Sequence, residues 1–81
     1  MHKSLIESIA YAVRYFRKEK CLSQEELANK SKLDRTYISG VERGVRNITI
    51  ESLEQIIKAL NITNSEFFIF ATKDCNDDLH N

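Results

Sequence analysis

Apolar residues recur at helical spacing along the chain, in stretches separated by polar turns. Such spacing predicts amphipathic helices with one buried face. In residues 4–19 the apolar stripe is formed by Leu5, Ile9, Val13 and Phe16, with Ile6 and Ala10 beside it. In residues 50–60 it is formed by Leu53, Ile56, Ile57 and Leu60. The pattern therefore predicts a longer helix over each of these two stretches.

Helix-start and helix-stop signals divide the rest of the chain. Ser23 and Thr63 are each followed three residues later by a glutamate, which is the pattern of a capping box. Asp34 and Thr49 are further N-cap candidates, and Gly44 suits the residue just after a helix. We therefore expect three shorter helices, over residues 24–31, 35–43 and 64–72, with a basic polar loop at 44–48.

The composition agrees with an all-α fold. The 81 residues include two glycines and no proline, and this favours helices with short connections over a turn-rich β fold. A chain of this length forms one domain with a limited core, so dimerisation is plausible from size alone. We expect a helical domain over residues 1–72 and a polar, acidic tail over residues 73–81.

The formal net charge is zero, but the charge is unevenly distributed. Residues 14–46 carry nine basic and five acidic side chains, a net charge of +4. Residues 59–81 carry one basic and four acidic side chains, a net charge of −3. A basic middle segment is compatible with nucleic-acid binding even in a neutral chain.

The sequence lacks the residue patterns that several classes of function require. Cys21 and Cys75 form no CxxC motif, and His2 and His80 stand at opposite ends of the sequence without companion ligands, so we expect no metal and no cofactor. No catalytic triad, glycine-rich phosphate loop or carboxylate pair is evident, so we expect a binding protein and not an enzyme. Without a signal peptide or a membrane-length apolar stretch, we expect a cytoplasmic protein.

The two short helices around residues 24–43 and their tight turn predict a helix-turn-helix, whose second helix enters the DNA major groove. The segments QEELA, LDRTYIS and VERG, beginning at Gln24, Leu33 and Val41, resemble the Xre/Cro/434-repressor-like family. The resemblance covers residues 8–70, and LDRTYISGVERGVRNITIESL is similar to restriction–modification controller proteins. It implies a compact five-helix, lambda-repressor-like homodimer that binds an inverted-repeat operator at its own promoter.

The candidate base-reading residues lie at the start of the second helix of the motif. Arg35 can donate two hydrogen bonds to guanine, and Thr36 can offer its methyl group to thymine. Ser39 lies one turn further on the same face, where it can reach either a base or the backbone. As a solvated surface residue Arg35 would gain nothing, because a cation near a helix N-terminus opposes the helix dipole.

Other candidates would position the protein on the DNA backbone. The resemblance implies that Gln24 binds a phosphate at the N-terminus of its helix. Tyr37 can donate its hydroxyl to a phosphate or pack as half-buried core. Arg43, Arg46 and Asn47 flank the loop after the recognition helix, where they either contact the DNA backbone or serve as a solubilising loop.

Three further expectations concern structure. Glu42 lies near a helix C-terminus, which disfavours a carboxylate, and the resemblance implies Arg17 as its ion-pair partner. The family usually has glycine where Cys21 stands, and often glycine or asparagine where Lys32 stands, so we expect slightly strained turns there. The helix at residues 64–72 cannot bury all its phenylalanines on one side, and at least one of them is expected at a dimer interface: Phe67, Phe68 and Phe70.

The sequence leaves three alternatives open. Within DNA binding, an antitoxin or a phage-type repressor would have the same fold. In a different class, a protein–protein adaptor could keep the fold without binding DNA, and the zero net charge and acidic tail favour that alternative. The operator sequence, and whether the protein activates or represses, are not encoded in any pattern of the chain.

Overall fold

The computed structural model describes residues 4–73, which form five α-helices and no strand. The predicted all-α, five-helix fold is therefore confirmed, and each helix ends within one residue of its predicted position. Residues 1–3 and 74–81, with most of the predicted acidic tail, lie outside the described residues. The helices are α1 (Leu5–Glu19), α2 (Gln24–Ser31), α3 (Arg35–Glu42), α4 (Ile50–Ala59) and α5 (Asn64–Ala71).

Side chains cap most of the helix N-termini. The predicted capping boxes at Ser23 and Thr63 are present, and Thr49 accepts a hydrogen bond from a main-chain N–H of α4. Ser4 forms a third capping box, at the start of α1, which the sequence interpretation missed. Asp34 is the residue before α3, as predicted, but its side chain makes no capping hydrogen bond. The first turn of α3 therefore has main-chain N–H groups that no cap satisfies.

Left-handed residues end several helices. Gly44 follows α3 with φ +72°, where glycine carries no steric penalty. Cys21, Lys32 and Asn61 have φ of 58°, 61° and 59°, a conformation that side chains disfavour. The expected strain at Cys21 and Lys32 is therefore present in the backbone. These left-handed residues end their helices abruptly, so the connections between helices are short.

The core lies where all five helices meet. Its largest fully buried side chains are Val13, Leu27, Ile38, Ile56, Leu60 and Phe67. Leu5, which the periodicity placed on the buried stripe of α1, is instead 62% exposed, because α1 begins at this residue and its first turn extends past the core. Helix α3 packs against α1 and α2, so its buried side holds Ile38 and Val41 and its N-terminal end remains exposed.

Candidate nucleic-acid interface

Helices α2 and α3 form the predicted two-helix motif. The turn between them is closed by a hydrogen bond from the main-chain N–H of Leu33 to the carbonyl oxygen of Ala28, 3.0 Å long. Ala28 is nearly inaccessible, so its small side chain lies where the helices approach each other. Ile38 anchors the other side of α3 in the core. This packing presents the N-terminal turn of α3, with Arg35 and Thr36 exposed, to solvent.

Two polar clefts lie beside α3. The cleft between the N-terminal ends of α2 and α3 has a volume of about 440 Å³ and is lined by Arg17, Ser23, Gln24, Glu25 and Arg35. The cleft between α3 and the following loop has a volume of about 410 Å³ and is lined by Thr36, Gly40, Arg43, Val45, Arg46 and Asn47. Each cleft contains two arginines. The structure therefore groups all but two of the predicted DNA-binding residues, Tyr37 and Ser39, along the walls of these clefts.

Glu42 is the centre of a buried polar network. Its side chain is 2% exposed, and its Oε2 accepts a hydrogen bond from Arg17 Nε at 2.6 Å. Its Oε1 accepts from Arg17 Nη2 and from Gln24 Nε2, each at 3.1 Å. Arg14 Nη1 donates to the main-chain carbonyl of Glu42 at 2.8 Å. The structure thus brings the predicted pair together and joins α1, α2 and α3 through one carboxylate.

Gln24 has a role that its sequence position alone does not reveal. Because its side-chain amide donates to Glu42, it does not extend freely into solvent. As the first residue of α2, Gln24 also carries one of the main-chain N–H groups that have no partner within the helix. A phosphate at this end of α2 can therefore meet the main chain and the helix dipole while the side chain stays with Glu42.

Tyr37 contacts Arg46, a residue of the second cleft. The Arg46 guanidinium carbon lies 4.9 Å from the centre of the Tyr37 ring, a distance typical of a cation–π interaction. The Tyr37 hydroxyl oxygen is buried and has no hydrogen-bond partner among the described residues. Tyr37 is thus half-buried, as one of its two predicted alternatives required. Its side chain would have to change its χ1 rotamer before the hydroxyl could reach a phosphate.

The three phenylalanines of α5 have different environments. Phe67 is fully buried in the protomer core, so the expectation that at least one of the three lies at a dimer interface now concerns Phe68 and Phe70. Phe70 is half-buried and stacks on Tyr15, with ring centres 4.2 Å apart. Phe68 is 38% exposed and lines an apolar cleft of about 150 Å³ together with Ile50, Leu53 and Ile57. Phe68 is therefore the best placed of the three to meet a second copy.

Among residues 4–73, no cluster of histidine, cysteine, aspartate or glutamate side chains is arranged to hold a metal ion. No helix in the same range has the length and apolar content needed to cross a membrane. The one cysteine among these residues, Cys21, is free and exposed.

Known proteins share this motif. The family model described as Helix-turn-helix matches residues 13–67. Control protein C.MunI of Mycoplasma sp is 49% identical over 57 residues, which is 69% of this chain and 77% of that protein. Control protein C.BamHI of Bacillus amyloliquefaciens is 45% identical over 51 residues, and this match spans 63% of each protein.

Solved structures are similar over nearly the whole chain. The wild-type restriction–modification controller protein C.Esp1396I superimposes with a TM-score of 0.86 at 44% identity, over 91% of this chain and 97% of that one. A tetramer of the same protein in complex with its natural 35-base-pair operator gives a TM-score of 0.83 at 46% identity, over 89% and 95% of the two chains. These matches confirm the resemblance to controller proteins that the sequence suggested.

Proposed function

Because the chain belongs to the helix-turn-helix family, we propose that it is a transcription regulator that binds a specific operator as a homodimer. Its target is the promoter of its own gene, within a restriction–modification system. The observation that carries this proposal is the exposed N-terminal turn of α3 with an arginine-lined cleft on each side. The function is binding, so no residue has a catalytic role.

The geometry around α3 suits the DNA major groove. A recognition helix enters this groove by its N-terminal end, with a phosphate backbone on either side. Here one backbone would meet Arg17 and the N-terminus of α2, and the other would meet Arg43 and Arg46. Positive side chains, and main-chain N–H groups of a helix N-terminus that its capping box leaves unused, are groups that bind phosphates. The two clefts are therefore the proposed phosphate sites.

Sequence is read by the exposed side chains between these sites. Arg35 and Thr36 are exposed in the first turn of α3, and Ser39 lies one turn further on. Arg35 Nη groups would donate to O6 and N7 of a guanine, and the Thr36 methyl group would contact a thymine. Arg46 and Asn47 reach from the loop toward the backbone, which positions the domain without specifying a base.

The proposed dimer forms through the apolar surface around Phe68. This surface comprises Phe68 and Ile50, which is 80% exposed, and both side chains line the apolar cleft described above. Exposed apolar side chains grouped in this way are typical of a protein interface. In a symmetric dimer the two α3 helices would lie about 34–36 Å apart and read half-sites one turn apart.

The C.Esp1396I complexes with operator DNA favour a DNA-binding role over the adaptor alternative. A zero net charge is no obstacle, since the basic residues are concentrated around α3. Because the operator is chromosomal or plasmid DNA, the proposed location is the cytoplasm. Neighbouring genes discriminate among the DNA-binding alternatives: methyltransferase and endonuclease genes support a controller, and a toxin gene would instead indicate an antitoxin.

The test is selection of DNA from a random-sequence duplex pool by the full chain. We expect enrichment of an inverted repeat, bound by a dimer, with a log–log salt slope on the order of −5 to −9 for about three to five phosphates per subunit. The control is a duplex of equal length with a scrambled repeat. Failure to enrich any sequence, or a slope near zero, would contradict the proposal.

A further inference from the structure

The loop after α3 returns alongside the helix that it leaves. The N–H of Gly44 donates to the carbonyl of Val41, and the N–H of Val45 donates to the carbonyl of Gly40, at 3.0 and 3.1 Å. With Gly44 at φ +72°, these two bonds form a Schellman motif. The motif fixes the path of the loop, so the next residue, Arg46, lies back over the last turns of α3.

Gly40 leaves the space that Arg46 occupies. A Cβ atom at Gly40 would lie 3.3 Å from the Cβ and 3.5 Å from the Nε of Arg46, the first of which is tighter than ordinary van der Waals contact. Tyr37, one turn before Gly40 on the same helix, lies under the Arg46 guanidinium. The arginine therefore runs along α3 over the bare backbone of Gly40 and ends on the aromatic ring.

The presence of glycine at this position needs a reason. Gly40 is buried in the last turn of α3, two residues before the helix ends, and glycine is less favourable than alanine within a helix. Its backbone does not require glycine, because among the described residues positive φ is found in the turns and not at Gly40. The close approach of Arg46 is the feature of the described structure that an alanine would disturb.

We propose that Gly40 is a positioning residue for DNA binding. Because it has no side chain, it leaves room for Arg46 to lie against Tyr37, with the guanidinium in the cleft beside α3. This inference rests on the proposed function, because the cleft is a phosphate site only if the protein binds DNA. Gly40 itself touches no DNA. Holding the long arginine side chain in place beforehand reduces the ordering cost that binding would otherwise carry.

The test compares four proteins on the duplex that the wild-type chain selects: wild type, Gly40→Ala, Arg46→Ala and the double variant. Arg46→Ala should weaken binding about tenfold or more and reduce the salt slope by about 2 per dimer. Gly40→Ala should weaken binding by roughly threefold to tenfold, and its salt slope should be smaller than that of the wild type. In the Arg46→Ala background, Gly40→Ala should add less than about twofold.

Stability measurements separate positioning from folding. Gly40→Ala should melt at or above the wild-type temperature, because alanine favours the helix. Ile56→Val, in the core and away from both clefts, is the control that lowers stability without changing the salt slope. In the free protein, the NMR signals of the Arg46 side chain should be shifted by the Tyr37 ring and should move in Gly40→Ala.

Several results would overturn the inference. The first is a Gly40→Ala protein with wild-type DNA affinity and a wild-type salt slope. The second is a loss of affinity on Gly40→Ala that is equal in the wild-type and Arg46→Ala backgrounds. The third is a Gly40→Ala chain that does not fold. Unmoved Arg46 signals would have the same consequence. Failure of the proposed function is distinguishable, because the wild-type chain would then select no duplex at all, and the Arg46 signals could still report the contact with Tyr37.

Discussion

Neutralising Glu42 should destabilise the fold far more than a surface carboxylate would. In Glu42→Gln the two carboxylate oxygens become one oxygen and one NH₂ group. Because Oε2 faces Arg17 Nε and Oε1 faces both Arg17 Nη2 and Gln24 Nε2, the new NH₂ group meets a donor in either orientation. The Arg17 charge is also left without its counter-ion in a site that is 13% exposed on the arginine side.

The magnitude follows from burial. Removing one partner of a fully buried pair costs about 3–5 kcal/mol, and an exposed pair contributes about 0–1 kcal/mol. Arg17 keeps some solvent contact and its hydrogen bond to the Leu22 carbonyl. We therefore expect a loss of about 2–4 kcal/mol in the free energy of unfolding. In a domain of this size that lowers the melting temperature by about 10–30 °C.

The assay is thermal and urea unfolding followed by circular dichroism. The set comprises Glu42→Gln, Arg17→Met, the double variant and the matched control Glu19→Gln, an exposed carboxylate at the end of α1. The control should stay within about 0.5 kcal/mol of wild type. Strict additivity of the two single losses, or a Glu42→Gln loss no larger than that of the control, would refute the network as a source of stability.

Two further predictions concern turns and assembly. Cys21→Gly should raise the free energy of unfolding by about 0.5–1 kcal/mol, because residue 21 has φ 58°. Its control, Lys20→Gly, should lower the free energy of unfolding, because residue 20 has φ −88°. Unfolding curves that show no gain for Cys21→Gly would contradict this reasoning. Phe68→Ala should weaken the dimer, as measured by sedimentation, while the chain stays helical. Phe67→Ala, in the core, should instead lower the free energy of unfolding by about 3–5 kcal/mol. A Phe68→Ala chain that dimerises like the wild type would exclude this interface.

Local signals explain why the helices were predictable. Capping boxes and apolar periodicity act over three or four residues, so Ser23 and Thr63 indicated helix starts without tertiary information. Leu5 shows the limit of periodicity, since a residue in phase with the apolar stripe stays exposed when nothing packs over its turn. The resemblance, and not the spacing, indicated that Glu42 pairs with Arg17.

The features that sequence reasoning missed depend on distant parts of the chain. The hydrogen bond from Gln24 to Glu42 joins residues 18 positions apart, and it exists only because α2 packs on α3. Phe67 is buried and Phe70 half-buried because α5 packs against α1, which no local pattern specifies. Gly40 did carry a signal, because a glycine inside a predicted helix suggests a close approach.

The central claim is that the N-terminal turn of α3 reads bases, and its most direct test is the base preference of Arg35→Ala. Wild-type and variant proteins are measured on the selected duplex and on every single-base change in one half-site. We predict a loss of about 1–3 kcal/mol per half-site and a relaxed preference at one base position, with the other positions unchanged. A variant with wild-type affinity and an unchanged preference at every position would contradict the account.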